Sequence, residues 1–154
     1  MPDRPAKGLA VLGVRERALE CRLHAADGAE RVFDRTLEYA KEREAFGRPI
    51  GRFQAIRHKF AEMSVKIEVS RALTYACLRK FTAGEDATRE VTQAKLFTQR
   101  AMCDVADEAI QIHGGYGYMR EYGVERAYRD ARLGPIGGGT DEVMKEILGK
   151  QLGL

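Results

Sequence analysis

Between Gly51 and Gly134 the chain carries no proline; the four it has are Pro2, Pro5, Pro49 and Pro135. An unbroken supply of backbone N–H donors over that length leaves room for long helices. Inside it Ile56, Phe60, Met63, Ile67, Ser70, Thr74, Cys77 and Phe81 step alternately by four and three. That is a heptad-like seam, which a strand could not use because strand faces repeat every two residues. Its small polar members, Ser70 and Thr74, imply close packing against a neighbour. The alternating β-branched runs that mark strands are absent, as are internal repeats and low-complexity tracts.

Three further segments have the same character. The first is expected over about residues 14–43, with Leu19, Leu23, Ala26, Phe33, Leu37 and Ala40 stepping by three and four and Glu30 filling the one gap. The seam segment follows, from about residue 52 to just before Gly84. A third begins after the cap-like run Ala83-Gly84-Glu85-Asp86, carries Val91, Ala94, Thr98, Ala101, Val105, Ala109 and Ile112, and stops at Gly114-Gly115. A shorter helix is expected over residues 124–132. Pro135 and the glycines 137, 138 and 139 then break the chain before a last helix, from near Thr140, that includes Val143, Ile147 and Leu148. Each long segment has one apolar stripe and must bury it against another. Short connections select antiparallel neighbours, so the expected fold is all-α, an up-and-down four-helix bundle over residues 16–154. Residues 1–15 form a poorly patterned lead. At 154 residues about 0.7 of the unfolded surface is buried, enough for such a bundle to be stable.

Composition removes several functions. Lys and Arg number 26 against 23 Asp and Glu, a net charge of +3. A nucleic-acid binder needs a more concentrated basic face. No window is apolar for long enough to span a membrane, and residues 1–7 lack the apolar run of a secretion signal. Cys21, Cys77 and Cys103 are odd in number and widely spaced, without C-x-x-C, which suits a reducing, cytoplasmic setting. A di-iron site in a bundle needs Glu-x-x-His pairs. Three residues before His24, His58 and His113 stand Cys21, Ala55 and Ile110, so no metal site is expected and each His reads as a surface or helix-end residue. Nucleophile elbows and phosphate-loop motifs are missing. Ser64 and Ser70 are expected to satisfy backbone carbonyls in mid-helix.

Three segments carry more information. Arg43-Glu44-Ala45-Phe46-Gly47-Arg48-Pro49-Ile50-Gly51, followed by Phe53-Gln54, reads from pattern alone as a helix–helix turn with a glycine stop and a buried aromatic. Gln111-Ile112-His113-Gly114-Gly115-Tyr116-Gly117-Tyr118 is either a routine helix end or a glycine-lined surface that a planar ring can approach closely. Gly137-Gly138-Gly139-Thr140-Asp141-Glu142 offers free N–H groups at a helix start, where anions or carbonyls bind. Capping by Thr140 with acidic residues in the first turn explains the same residues, and both readings hold together.

Taken in order with residues 37–47, Gln54 and Tyr128-Arg129-Asp130-Ala131-Arg132, these segments resemble the C-terminal helical domain of the acyl-CoA dehydrogenases. The likeness runs from about residue 28 to 150 and is closest in pattern to the long-chain type with a Gly-Gly-Thr loop. It implies an all-α domain at the core of a homodimer or homotetramer, with FAD as cofactor, an acyl-CoA substrate and electron-transferring flavoprotein as acceptor. By the same resemblance Arg43 contacts the FAD pyrophosphate, where a guanidinium fork suits phosphate oxygens. Phe46 and Gln54 line that cofactor, and Gln111, Gly114 and Gly115 follow its adenine and ribose side from a partner subunit. Thr140, Asp141 and Glu142 approach FAD near the last helix, and Gly139 sits by the thioester.

Two departures from the family pattern matter. Many members place the α-proton acceptor, a Glu, just before the Gly-Thr of the last loop, where this chain has Gly138. A subset carries it on the first helix in a Glu-Arg pair. Family spacing lands on Arg17, so Glu16 is one residue out of register, with Glu20 one turn further along the same helix face as the alternative. Full-length relatives also possess an N-terminal helical domain and a β-domain. These 154 residues alone are therefore expected to bind FAD weakly or not at all, and to turn over little unless another polypeptide supplies the other domains. The competing expectation is a non-catalytic helical self-assembly module derived from the same family.

Overall fold

The structure, a computed structural model, describes residues 27–154. Helix α1 occupies residues 27–42. A hairpin of β1 (Glu44–Ala45) and β2 (Arg48–Pro49) follows, then a 3-10 turn (Ile50–Arg52), α2 (Gln54–Thr82) and α3 (Thr88–His113). The chain continues through the single turn α4 (Gly115–Tyr118), a second 3-10 turn (Arg120–Tyr122), α5 (Val124–Arg132) and α6 (Asp141–Gln151). Leu19, Leu23, Ala26, Cys21, His24, Glu16, Glu20 and the boundary between residues 15 and 16 lie outside the described residues.

The seam on α2 is the buried face. Phe60, Met63, Ile67, Ser70, Thr74 and Cys77 are buried, and Ile56 and Phe81 half-buried. Ser70 and Thr74 donate their hydroxyls to the carbonyls of Lys66 and Ser70 at 2.7 and 2.8 Å, so the small polar positions cost no unpaired group. Ser64 is exposed.

Helix α3 goes further than its sequence stripe. All seven expected positions are buried, and so is a second register one residue later: Thr92, Lys95, Gln99, Met102, Ala106 and His113. The first register meets α2, where Cys77 packs with Ala87, Val91 and Ala94. The second meets α1 and the segment after α5. A Cβ added to Gly28 would stand 3.4 Å from Met102 Cε, and one added to Gly134 would overlap Gln99. Two adjacent seams make α3 the central helix, in contact with α2, α5 and α6.

Directions follow from the side-chain pairs. Lys59 pairs with Glu108, Lys66 with Asp104 and Lys80 with Glu90, an antiparallel ladder between α2 and α3. Phe33 meets Phe60 edge-on with centroids 5.5 Å apart, and Glu30 pairs with Arg71, so α1 also runs antiparallel to α2. The bundle is all-α apart from the hairpin, whose two-residue strands are too short to show alternation in sequence. The N-cap of α3 is Ala87, without a side-chain cap bond; Asp86, one residue earlier, accepts at Oδ1 from the Thr88 N–H at 3.1 Å.

Candidate functional site

The hairpin stands at the C-terminal end of α1 and is held by its backbone. The Arg43 N–H donates to the Tyr39 carbonyl and the Ile50 N–H to the Arg43 carbonyl, both at 2.8 Å. Phe46 and Gly47 form the connecting turn with φ of +53° and +79°, positive at both positions as a type I′ turn requires. Asn, Asp or Gly normally fill the first position. A phenylalanine there is held in a region that costs about 1–2 kcal/mol, and its ring is 96% exposed. The buried aromatic expected at Phe46 is therefore corrected: the hairpin lifts the ring off the bundle, where it meets the edge of Phe53, centroids 6.0 Å apart. Arg48 lies over the Phe53 ring at 4.2 Å, and exposed Gln54 opens α2 beside it.

The end of α3 supplies the opposite wall. Gly114 turns the chain with φ +60°, its N–H donating to the carbonyls of Ile110 and Gln111. Gly117 is required by packing, because a Cβ would stand 2.6 Å from the Ile110 oxygen. At Gly114 and Gly115 nothing lies within 4 Å of an added Cβ. Behind them Tyr39 stacks on His113, centroids 4.1 Å apart, and Tyr116 on Tyr122 at 4.9 Å. His113 ends its helix as expected but is buried rather than at the surface, its Nδ1–H donating to the Ala109 carbonyl at 2.8 Å. Burial holds its pKa below the ordinary imidazole value; the hydrogen bond to the Ala109 carbonyl opposes the shift, and the Arg35 charge adds to it. Burial likewise pushes the Tyr39 phenol up, against the pull of Arg43.

Between these walls lies a cleft of about 520 Å³ bordered by Tyr39, Arg43, Ile50, His113, Gly114, Gly115 and Tyr116. Arg43 is exposed and rests 5.4 Å above the Tyr116 ring. Among the described residues it has no carboxylate partner. The structure thus brings together Arg43, Gly114 and Gly115, with Phe46 and Gln54 on the same end and Gln111 exposed on the last turn of α3.

The remaining expected residues stand elsewhere. Thr140 caps α6, accepting from the Val143 N–H at 3.4 Å, and Glu142 is exposed. The Glu142 carboxyl is held below its usual range by its own N–H and the Thr140 hydroxyl. Asp141 is turned inward, 2% exposed, with Oδ2 accepting from Arg100 Nε at 2.5 Å. Gly138 and Gly139 have φ of +62° and +96°, and the Gly139 carbonyl accepts from Lys95 Nζ. Gly138 and Gly139 border a second, larger groove of about 1300 Å³ with Arg31 and Arg35 of α1 and Val143 and Met144 of α6. Arg100 and Gln111 are eleven residues apart on α3, about 16 Å of helix at 1.5 Å per residue, so the three sequence motifs form two groups, not one.

Comparison with known proteins identifies the family. The family profile described as acyl-CoA dehydrogenase, C-terminal domain, matches residues 10–153. A probable acyl-CoA dehydrogenase of Bacillus subtilis, YngJ, is 44% identical over 80% of this chain and 33% of its own length. The mitochondrial long-chain specific acyl-CoA dehydrogenase of Mus musculus is 39% identical over 89% of this chain and 32% of its own. Among solved structures, a probable acyl-CoA dehydrogenase from Mycobacterium abscessus superposes with a TM-score of 0.90 at 42% identity, over 93% of this chain and 38% of that one. PigA, solved with FAD and proline, gives 0.88 at 30% identity over 92% and 37%. The chain belongs to the acyl-CoA dehydrogenase family, as its C-terminal helical domain. It spans about a third of the length of the curated relatives it matches.

Proposed function

We propose that these residues are the FAD-facing and assembly domain of an enzyme that oxidises acyl-CoA to trans-2-enoyl-CoA. The observation that carries the reading is the cleft at the hairpin end. An exposed guanidinium without a carboxylate partner among the described residues faces two glycines at which a Cβ would occupy the open space. That combination suits a pyrophosphate flanked by a flat ring. PigA supplies the precedent for FAD on this fold.

FAD, when bound, supplies the hydride acceptor. Arg43 binds the pyrophosphate, and Phe46 and Gln54 line the same cofactor. Gln111, Gly114 and Gly115 follow the adenine and ribose side of that same FAD, from the same chain as Arg43 and not from a partner subunit as the resemblance implies, because Gly114 and Gly115 share one cleft with Arg43. The group at Gly139, Thr140 and Glu142 lies about 16 Å along the bundle, so in our reading it serves a different FAD from the Arg43 cleft, the two belonging to neighbouring subunits. Gly139 sits by the thioester. As the acyl group becomes an enoyl group, its β-hydride leaves to FAD and its α-proton passes to a carboxylate, for which we propose Glu16, with Glu20 one turn on as the alternative. Enclosure beside the thioester would raise that carboxyl's pKa toward its task.

Assembly has its own support. Helix α2 leaves the large apolar side chains Val65, Val69 and Tyr75 exposed, which favours a homodimer or homotetramer. Electron-transferring flavoprotein as acceptor and a cytoplasmic setting complete the proposal; the odd number and wide spacing of the cysteines suit the latter. A non-catalytic assembly module is the second reading, favoured by Gly138, which has no proton-accepting side chain. The visible spectrum separates the two when the 154 residues are supplied with the remaining domains of a relative. Flavin that bleaches on adding acyl-CoA supports the enzyme, and flavin-free assembly supports the module. For the 154 residues alone we expect weak FAD binding and little turnover; a stoichiometric yellow protein bleached by acyl-CoA contradicts that.

A further inference from the structure

Lys95 and Gln99 of the second seam on α3, and Arg100 next to them, have no part in the cleft at the hairpin end. Lys95, Gln99 and Arg100 fall on one side of the helix, and the segment before α6 lies along them. Gly134 passes so close to Gln99 that an added Cβ would overlap its side-chain oxygen. Lys95, 4% exposed, donates from Nζ to the Gly139 carbonyl. Arg100 Nε holds Asp141 Oδ2 at 2.5 Å. The contacts fall on either side of Thr140, in a segment whose own bonds are few: Gly137 N–H to the Leu133 carbonyl at 2.7 Å and Asp141 N–H to that of Pro135 at 3.0 Å. Three adjacent glycines otherwise leave the backbone free to sample many conformations.

We propose that Lys95 and Arg100 are positioning residues that pin the loop 137–142 to α3, fixing Gly139 and Thr140 relative to the bundle. Lys95 fixes the carbonyl of the left-handed Gly139, and Arg100 fixes the first residue of α6 through a buried carboxylate. Asp141 is therefore an anchor for the loop, and Thr140 and Glu142 are the residues it presents. The functional consequence, a fixed backbone beside the thioester, rests on the reading given under Proposed function; the pinning itself does not.

Amide hydrogen exchange of the 154-residue chain, with no flavin added, tests the pinning directly. Lys95→Met keeps the apolar stem and removes the donor. It is expected to speed exchange at Gly137, Asp141 and Val143 at least tenfold while α2 and the α2–α3 turn exchange as before. Lys95→Arg, which retains a donor of the same charge, is expected to keep the loop slow. Unchanged loop exchange in Lys95→Met, or loosening by Lys95→Arg equal to that by Lys95→Met, overturns the proposal. Should Lys95→Met not fold, Arg100→Met is read in its place on the exposed half of the clamp; at least threefold faster exchange at Asp141 and Val143 is expected, and wild-type rates overturn it. Because the exchange is read with no flavin present, slow exchange lost in Lys95→Met sustains the pinning whatever an FAD titration of the same chain shows.

Discussion

Two glycines in neighbouring positions have opposite duties. A Cβ on Gly117 would stand 2.6 Å from the Ile110 oxygen and 2.8 Å from its Cα, both backbone atoms that cannot step aside. Gly117→Ala is expected to cost about 2 kcal/mol, seen as a fall of about 4–8 °C in the thermal midpoint. Gly115 has open space around it, so Gly115→Ala should leave the midpoint within about 2 °C and narrow the cleft instead. Sequence shows both as glycines in one run and cannot tell them apart, because the difference lies in what the chain meets three to seven residues back. His113 makes a second residue-scale case. Its folded pKa lies below the unfolded value because burial disfavours the imidazolium. Its contribution to stability is thus complete above the unfolded value near 6.5 and is lost as pH falls through the folded one. Thermal midpoints at pH 8 and pH 5 should differ more in the wild type than in His113→Phe, which keeps an aromatic ring against Tyr39 but cannot be protonated.

At the scale of elements, the long helices are where proline and glycine punctuation and the four-three stepping put them. Helix α5 spans Val124–Arg132 and α6 opens at Asp141 behind Thr140, as capping chemistry implies. Thr140→Ala removes the acceptor for the Val143 N–H and should lower stability by about 1 kcal/mol, or about 2–4 °C by calorimetry; Thr140→Ser should lose much less. What the sequence hides is the second seam on α3. Thr92, Lys95, Gln99, Met102 and Ala106 step by three and four like the first, with His113 two turns further on, but four of the six are polar, so hydrophobic periodicity passes over them. Burial of Lys95 and Gln99 is made possible by partners outside the helix, the Gly139 carbonyl and the Gly134 backbone, which a stripe cannot reveal. The hairpin is hidden for another reason: its type I′ turn carries Phe46 in place of the usual Asn or Gly, a choice that makes sense only if something outside the bundle receives the ring.

Across the whole molecule, the Arg43 cleft and the loop 137–142 are about 16 Å apart along α3, and large apolar side chains remain outside at Phe46, Val65, Val69 and Tyr118. Both features are accounted for if subunits meet over these faces and each contributes one group to a shared cofactor. Sedimentation at increasing concentration should then show dimers or tetramers; a clean monomer at the highest concentration contradicts this. Proposed cofactor residues were legible in sequence by family pattern, but their division into two groups was not, since order along a chain carries no distance. The central claim is that the Arg43 cleft receives FAD, and backbone amide NMR of the labelled chain during an FAD titration tests it most directly. The account predicts shifts centred on residues 43–54 and 111–118, with affinity about tenfold or more weaker in Arg43→Ala and no loss of helical signal. Shifts confined to other surfaces, or an Arg43→Ala titration identical to wild type, would contradict it.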